Sequence, residues 1–344
     1  MTNPVVDRAA LQLHSLMTSL LEVRNLDVAY LLRASVASSA IVNVSFDVKA
    51  GEILGVLGES GSGKSTLAAS MLGLLPANGK IQRGSILFEG RDLLQAEPRE
   101  LQSIRGRRIA LINQEPLLAL HPTMRVGDQV EEVFAAHQYV DKKSRRERVR
   151  QVLAGLFPTE TERISSSYPH QLSGGERQRI LIAQAIACGP ALVIGDEPTA
   201  SLDPTTQREI LSVFEGLRRD FGVAIVLITH NPSLLAALAD RVLVLYAGRV
   251  AEIGPTESVL SDSLHPYTRS LLRCLPSPRC GTNAANRKIK LPSIAGDLHS
   301  LGLLSLGCRF EPRCTDRFEP CRTREPVEVW ATDEHVVSCF KYGS

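Results

Sequence analysis

Gly51-Glu-Ile-Leu-Gly-Val-Leu-Gly58-Glu-Ser-Gly-Ser-Gly63-Lys64-Ser65-Thr66 is the stretch on which the fold of this chain turns. Its first half is an apolar run, the pattern of a buried strand that breaks into a glycine-rich turn. Its second half has the spacing G-x-x-x-x-G-K-[ST] of a loop that cradles the phosphates of a nucleotide. The glycines let the backbone from Gly58 through Glu59, Ser60, Gly61, Ser62 and Gly63 curl so that successive N–H groups face an anion. A helix starting at Lys64 and running through Ser65 and Thr66 adds its positive dipole end. Lys64 supplies a mobile cation for the terminal phosphates, and Ser65 a hydroxyl for Mg²⁺.

Working outward, residues 1–20 carry no pattern and are read as a loose leader, with Met17-Thr-Ser-Leu-Leu-Glu-Val23 a natural alternative start. Leu21–Val28 and Ile41–Val48 alternate as half-buried antiparallel strands do. The helix after the phosphate loop is expected to end near Leu75, before Pro76 and Asn78-Gly79. Ile86–Phe88 and Ile109–Ile112 are strand candidates, and Thr123–Cys188 is mainly helical in pattern. Ala191–Gly195 and Val223–Ile228 are short, strongly apolar strands, as in a parallel sheet covered on both faces. Val242–Tyr246 and Arg249–Ile253 form a hairpin around Ala247-Gly248. Strands alternating with helices make an α/β core. Prolines and cysteines accumulate after Gly254, so the chain divides into an α/β domain over 21–254, with a helical subdomain at about 115–188, and a C-terminal region over 255–344.

The composition is that of an ordinary globular chain: 344 residues, 44% hydrophobic and 22% charged. With 39 Lys and Arg against 37 Asp and Glu, the net charge of +2 gives no electrostatic case for nucleic acid as partner. No run approaches the ~20 apolar residues of a membrane-spanning helix, and no secretory signal is seen. The basic run Lys142–Arg150 reads as a solvated helix face, with lipid headgroups or a transporter loop as the alternative.

Ala191-Leu-Val-Ile-Gly-Asp196-Glu197-Pro198 is an apolar strand ending in two acids. Asp196 is placed to hold Mg²⁺, and Glu197 to polarise the attacking water. Leu172-Ser173-Gly174-Gly175-Glu176 opens a helix with a second anion-binding end. One nucleotide needs one phosphate loop, so this second helix end calls for a second chain. Together these segments resemble the motifs of ABC (ATP-binding cassette) ATPases. Gln114 in Ile112-Asn-Gln114-Glu-Pro116 resembles the Q-loop, Ser201-Leu-Asp203 the D-loop and His230 the switch histidine; Tyr30 lies where an adenine-stacking aromatic is expected. The resemblance runs from about Leu21 to Gly254. It implies a P-loop NTPase fold with an antiparallel β subdomain and a helical subdomain, working as a head-to-tail dimer with ATP sandwiched between subunits. In that arrangement Ser173, Gly174 and Gly175 grip the partner's nucleotide, His230 contacts the γ-phosphate, and Gln114 links Mg²⁺ and water to the helical subdomain. Gly195 stands where Ala is more usual, and Ser201 at a variable position.

The tail narrows the branch. His265-Pro-Tyr267-Thr268 and Gly307-Cys-Arg-Phe-Glu-Pro-Arg-Cys314 resemble the C-terminal pattern of the oligopeptide/dipeptide/nickel importers, although Ile294-Ala-Gly296 and Ser305 depart from it. Four of the seven cysteines stand as Cys308-x₅-Cys314-x₆-Cys321-x₁₇-Cys339. The resemblance implies a 4Fe–4S cluster in some members; a Cys₄ zinc site and four free thiols are the other readings. Cys188, Cys274 and Cys280 are read as ordinary residues. The branch implies peptide uptake, with nickel or another small solute as the alternative. It also implies a peripheral position on the cytoplasmic face of the inner membrane, two permease subunits, a second ATPase subunit and an extracytoplasmic binding protein. Soluble ABC ATPases acting on nucleic acid are disfavoured, because Thr66–Gln171 carries no sustained heptads and the chain has one cassette.

Overall fold

The structure, a computed structural model, describes residues 19–31, 37–137, 141–200, 202–274, 293–294, 296 and 307–343. Residues 1–18 of the expected leader, with Met17, and Ser201, Cys280 and Ser305 lie outside the described residues, while Ser19 and Leu20 already belong to the first strand. Strands β1 (Ser19–Leu31), β2 (Ala37–Lys49), β4 (Gly79–Phe88) and β5 (Arg91–Asp92) form an antiparallel sheet in the order β2-β1-β4-β5. The main sheet contains β3 (Ile53–Leu57), β6 (Ile109–Ile112), β7 (Leu192–Asp196), β8 (Ala224–Thr229), β9 (Arg241–Tyr246), β10 (Arg249–Pro255), β11 (Val329–Thr332) and β12 (His335–Val337), in the order β11-β12-β10-β9-β3-β8-β7-β6. Its centre, β9-β3-β8-β7-β6, is parallel throughout.

The parallel strands are apolar at nearly every position because both faces are covered. Ile53, Leu57, Val193, Ile225 and Leu227 point into a core shared with the helical side. Their neighbours Leu54, Val56, Leu192, Ile194 and Val226 point into a second core, against the antiparallel sheet and the helix after the phosphate loop. Each fully buried aliphatic side chain contributes about 1.5–3 kcal/mol, so the two faces together dominate the stability of the ATPase region.

The helices are α1 (Lys64–Met71), α2 (Pro98–Ile104), α3 (Pro116–Ala119), α4 (Val126–His137), α5 (Lys142–Leu156), α6 (Thr161–Ser166), α7 (Gly174–Ile186), α8 (Pro204–Phe221), α9 (Pro232–Leu238), α10 (Thr256–Ser261), α11 (Pro266–Arg273) and α12 (Pro320–Thr323). Helix α1 stops at Met71, earlier than the sequence suggested. Helices α4 to α7 pack on one another around Val130, Phe134, Leu153, Ile164 and Ile180. The basic run forms most of α5, where Asp141 caps the N-terminus through Lys143 N and Ser144 N. Arg145 and Arg146 pair with Glu131, and Arg150 with Glu162, so these charges face neighbouring helices and solvent. Among the described residues no helix is long and apolar enough to cross a membrane.

The tail joins the main sheet. Gly254 lies inside β10, and β10 pairs antiparallel with β12 of the tail. Glu252 of β10, wholly buried, accepts hydrogen bonds from Leu264 N (2.7 Å), His265 N (3.0 Å) and His335 Nε2 (2.8 Å), which ties both halves of the tail to the main sheet. His265 caps α11, its Nδ1 accepting from Tyr267 N at 3.0 Å. Burial pushes its pKa down to about 4. The unfolded chain therefore takes this proton first, near pH 6.5, and the stability contribution is complete above that pH and lost as pH falls towards 4. Thermal unfolding should show a loss on the order of 2 kcal/mol from this group between pH 7.5 and 5, and His265→Asn should flatten that slope.

Candidate functional site

Four parallel strands deliver the site to one edge of the sheet. The phosphate loop follows β3, Asp196 ends β7, His230 follows β8, and Gln114 lies exposed just beyond β6. Ligands of open α/β sheets bind at these carboxyl ends, beyond the strands. The loop is locked by steric necessity. Gly63 has φ +107°, and a Cβ there would stand 2.8 Å from Ala40 O; a Cβ on Gly58 would stand 2.4 Å from Leu245 O. Gly248 N donates to Ser62 O at 2.8 Å, tying the loop to the β9–β10 turn. Lys64 is buried, its Nζ donating to Gly58 O (2.8 Å) and Glu59 O (2.9 Å). Burial lowers the pKa of the ammonium, and Glu197, Asp196 and Glu59 oppose that shift.

Asp196 shows the opposite displacement: burial raises its pKa, a hydrogen bond from Ser65 works against this, and Glu197 adds repulsion. Its buried Oδ1 has no hydrogen-bond partner. An orphaned carboxylate oxygen beside a serine hydroxyl at a phosphate loop fits Mg²⁺. Glu197 is held with φ 50°, a strained conformation for a residue with a Cβ. Nδ1 of His230 lies 2.9 Å from both its carboxylate oxygens. The sequence suggested separate tasks for Glu197 and His230; the fold makes them a contacting pair.

The remaining expected residues are distributed around this edge. Tyr30 Oη lies 3.0 Å from Thr66 Oγ1, which fixes the ring beside α1. Ser173 caps α7 in a reciprocal box: Glu176 N donates to Ser173 Oγ (3.2 Å), and Ser173 N to Glu176 Oε2 (2.7 Å). Glu176 also pairs with Arg163 of α6. Gly174 and Gly175 form the first turn of α7. Asp203 caps α8, accepting from Thr205 N, Thr206 N and the Thr206 hydroxyl.

In the tail, Cys308, Cys314, Cys321 and Cys339 all line one small cavity, together with Phe318 and Phe340. Burial pushes the Cys308 thiol up to about 11 and raises Cys314 and Cys339 as well, with the neighbouring thiols adding to the shift. Among the described residues no group of three or more His, Cys, Asp or Glu side chains is spaced to hold a metal. The four cysteines of the sequence pattern thus share one cavity, without a preassembled ligand set among the described residues. Cys188 packs at the margin of the helical core, as an ordinary residue does.

Known families match on both sides of this architecture. Residues 41–200 match the family described as "ABC transporter", and residues 251–321 the "Oligopeptide/dipeptide transporter, C-terminal region". The chain is 40% identical over 326 residues to the dipeptide transport ATP-binding protein DppD of Bacillus subtilis, covering 94% of this chain and 95% of that one. The chain belongs to the oligopeptide/dipeptide branch of the ABC transporter ATP-binding subunits. The oligopeptide transport ATP-binding protein OppD of Salmonella typhimurium is 39% identical over 322 residues, 94% of this chain and 93% of that one. A dimeric ABC cassette, MJ0796, in a post-hydrolysis state with ADP and Pi, superposes with a TM-score of 0.61 at 28% identity, over 69% of this chain and 98% of that one. CbiO1 of Clostridium perfringens, part of the transporter complex cbiONQ, gives 0.62 at 27% identity, over 72% and 92%.

Sequence reasoning missed the residues that hold the cassette's phosphate loop from outside. Tyr267 and Arg313 both hydrogen-bond Glu59, and Tyr246 supports Arg313 from behind. The signal was present in His265-Pro-Tyr267-Thr268, but spacing alone does not say what a distant tyrosine touches. The loop's close packing yields a direct expectation. Gly63→Ala should cost on the order of 1–3 kcal/mol in thermal unfolding and abolish MgATP binding in titration calorimetry, because strain and clash fall on the same peptide.

Proposed function

We propose that this cassette is the ATP-hydrolysing subunit of a peptide importer, and that it works as half of a nucleotide sandwich. The observation that carries the reading is the convergence on one sheet edge of the phosphate loop, the Ser65–Asp196 pair and the Glu197–His230 pair. Bound ATP lies with its phosphates against the N–H groups of Gly61 and of residues 63–66 and the ammonium of Lys64, and Tyr30 flanks the base. Ser65 and Asp196, with Gln114, would hold Mg²⁺, which offsets phosphate charge when bound. Glu197 accepts the proton of the attacking water, and His230 orients Glu197 and faces the γ-phosphate. No covalent enzyme intermediate is needed; catalysis is positional and electrostatic.

The capped N-terminus of α7, with Ser173, Gly174 and Gly175, and the Asp203 turn serve the partner subunit's nucleotide. Closure of the two subunits then moves a pair of permease subunits, which carry the membrane spans. The cassette sits peripherally at the cytoplasmic face of the membrane, and a binding protein on the far side selects di- or oligopeptides. Glu197→Gln should still bind MgATP and trap a dimer while turnover falls about 100-fold or more. Unchanged phosphate release by that variant removes Glu197 from the role assigned to it, and an unchanged rate after deletion of Ser173–Gly175 removes the sandwich.

For the tail, four converging thiols support a soft-metal or 4Fe–4S site that forms when the thiols give up their protons. Protein purified without oxygen should contain about four irons per chain, or one zinc, by elemental analysis; neither metal leaves four packed thiols.

A further inference from the structure

All the polar atoms of Glu59, the second residue of the phosphate loop, are engaged. Its N–H donates to Tyr267 Oη at 2.9 Å. Its carbonyl accepts from Lys64 Nζ at 2.9 Å and from Ser62 N at 3.1 Å. Its carboxylate takes both arms of the Arg313 guanidinium, Nη1 to Oε2 at 2.9 Å and Nη2 to Oε1 at 3.2 Å. Two of these partners belong to the C-terminal region, Arg313 lying 254 residues along the chain from Glu59.

This is not a screened surface pair, because the Arg313 side chain is only 5% exposed. Its Nη1 also donates to Tyr246 Oη at 3.3 Å, and the guanidinium lies over the Tyr246 ring. Tyr246 and Tyr267 have ring centroids 4.4 Å apart, and Phe310 closes the group at 5.1 and 5.5 Å. A bidentate pair on a rigid aromatic base fixes direction as well as distance. What it fixes matters for the nucleotide, since the seat of Lys64 Nζ is the carbonyls of Gly58 and Glu59.

We infer that Arg313 and Tyr267 are positioning residues for nucleotide binding: through Glu59, the tail holds the phosphate loop in the shape that receives the phosphates. The inference rests on the assignment of residues 58–66 as that loop. ATP affinity is thereby set partly by a region outside the ATPase core, and the tail is a working part of the motor.

The test is steady-state ATP hydrolysis by the complete transporter, with MgATP titration of the full-length chain alongside. Arg313→Gln should raise KM for ATP about tenfold while kcat stays within about twofold. Arg313→Lys, which keeps charge but not the fork, should recover part of that loss. Glu59→Gln should reproduce it, and the Arg313→Gln/Glu59→Gln double variant should add nothing further, since both act through one contact. Tyr267→Phe removes a single hydroxyl, keeps the buried ring and should raise KM by a smaller factor; it carries the test if Arg313→Gln does not fold. Unchanged KM in the folded variants, additive effects in the double variant, or lowered thermal stability with KM unmoved overturns the inference. Wild-type chain that binds no MgATP overturns the phosphate-loop assignment itself, a different result.

Discussion

The structure depends on one constraint: parallel strands start and finish together. Because β3, β6, β7 and β8 run in one direction within one sheet, their carboxyl ends share an edge, and whatever follows each strand is delivered there. Segments separated by more than 160 residues, from the phosphate loop to His230, meet without any contact having been specified pairwise. The apolar character of these strands is the price of that arrangement, since both faces must be covered. The antiparallel sheet and α1 cover one face, and the helical side covers the other.

At the edge itself, electrostatics are balanced rather than relaxed. A buried ammonium and two carboxylates share a small volume: burial draws Lys64 towards neutrality and raises Asp196, while each moderates the other. The strained backbone at Glu197 and its contact with His230 hold the second carboxylate in one orientation. Such a site is preorganised for a highly charged ligand with a bound cation, which relieves both displacements at once.

The C-terminal region is part of the same framework. Its strands extend the main sheet, its buried His335 and the backbone at 264–265 satisfy a fully buried glutamate, and its arginine and tyrosine reach the phosphate loop. The four cysteines lie just behind those contacts, with Cys314 adjacent in sequence to Arg313 and His265 and Pro266 of α11 lining their cavity. The tail is thus joined to the nucleotide edge through covalent neighbours as well as through packing.

By itself the sequence determined the local motifs of the site. Glycine spacing with the lysine and hydroxyl after it, apolar strands ended by acids, and a serine and two glycines opening a helix are each written within ten residues, because turn geometry, burial and capping act over that range. The phosphate loop, the acids at 196–197 and the cap at Ser173 were therefore legible, as were the α/β order and the strands of 21–254 apart from the short β5; β11 and β12 of the tail were not. Tertiary structure alone decided which distant groups touch. The pairing of Glu197 with His230, the clamp on Glu59, the strand addition at β10 and the convergence of four thiols on one cavity all join segments far apart in the chain. No periodicity encodes such contacts, since they arise only once sheet order and packing have fixed where each strand ends.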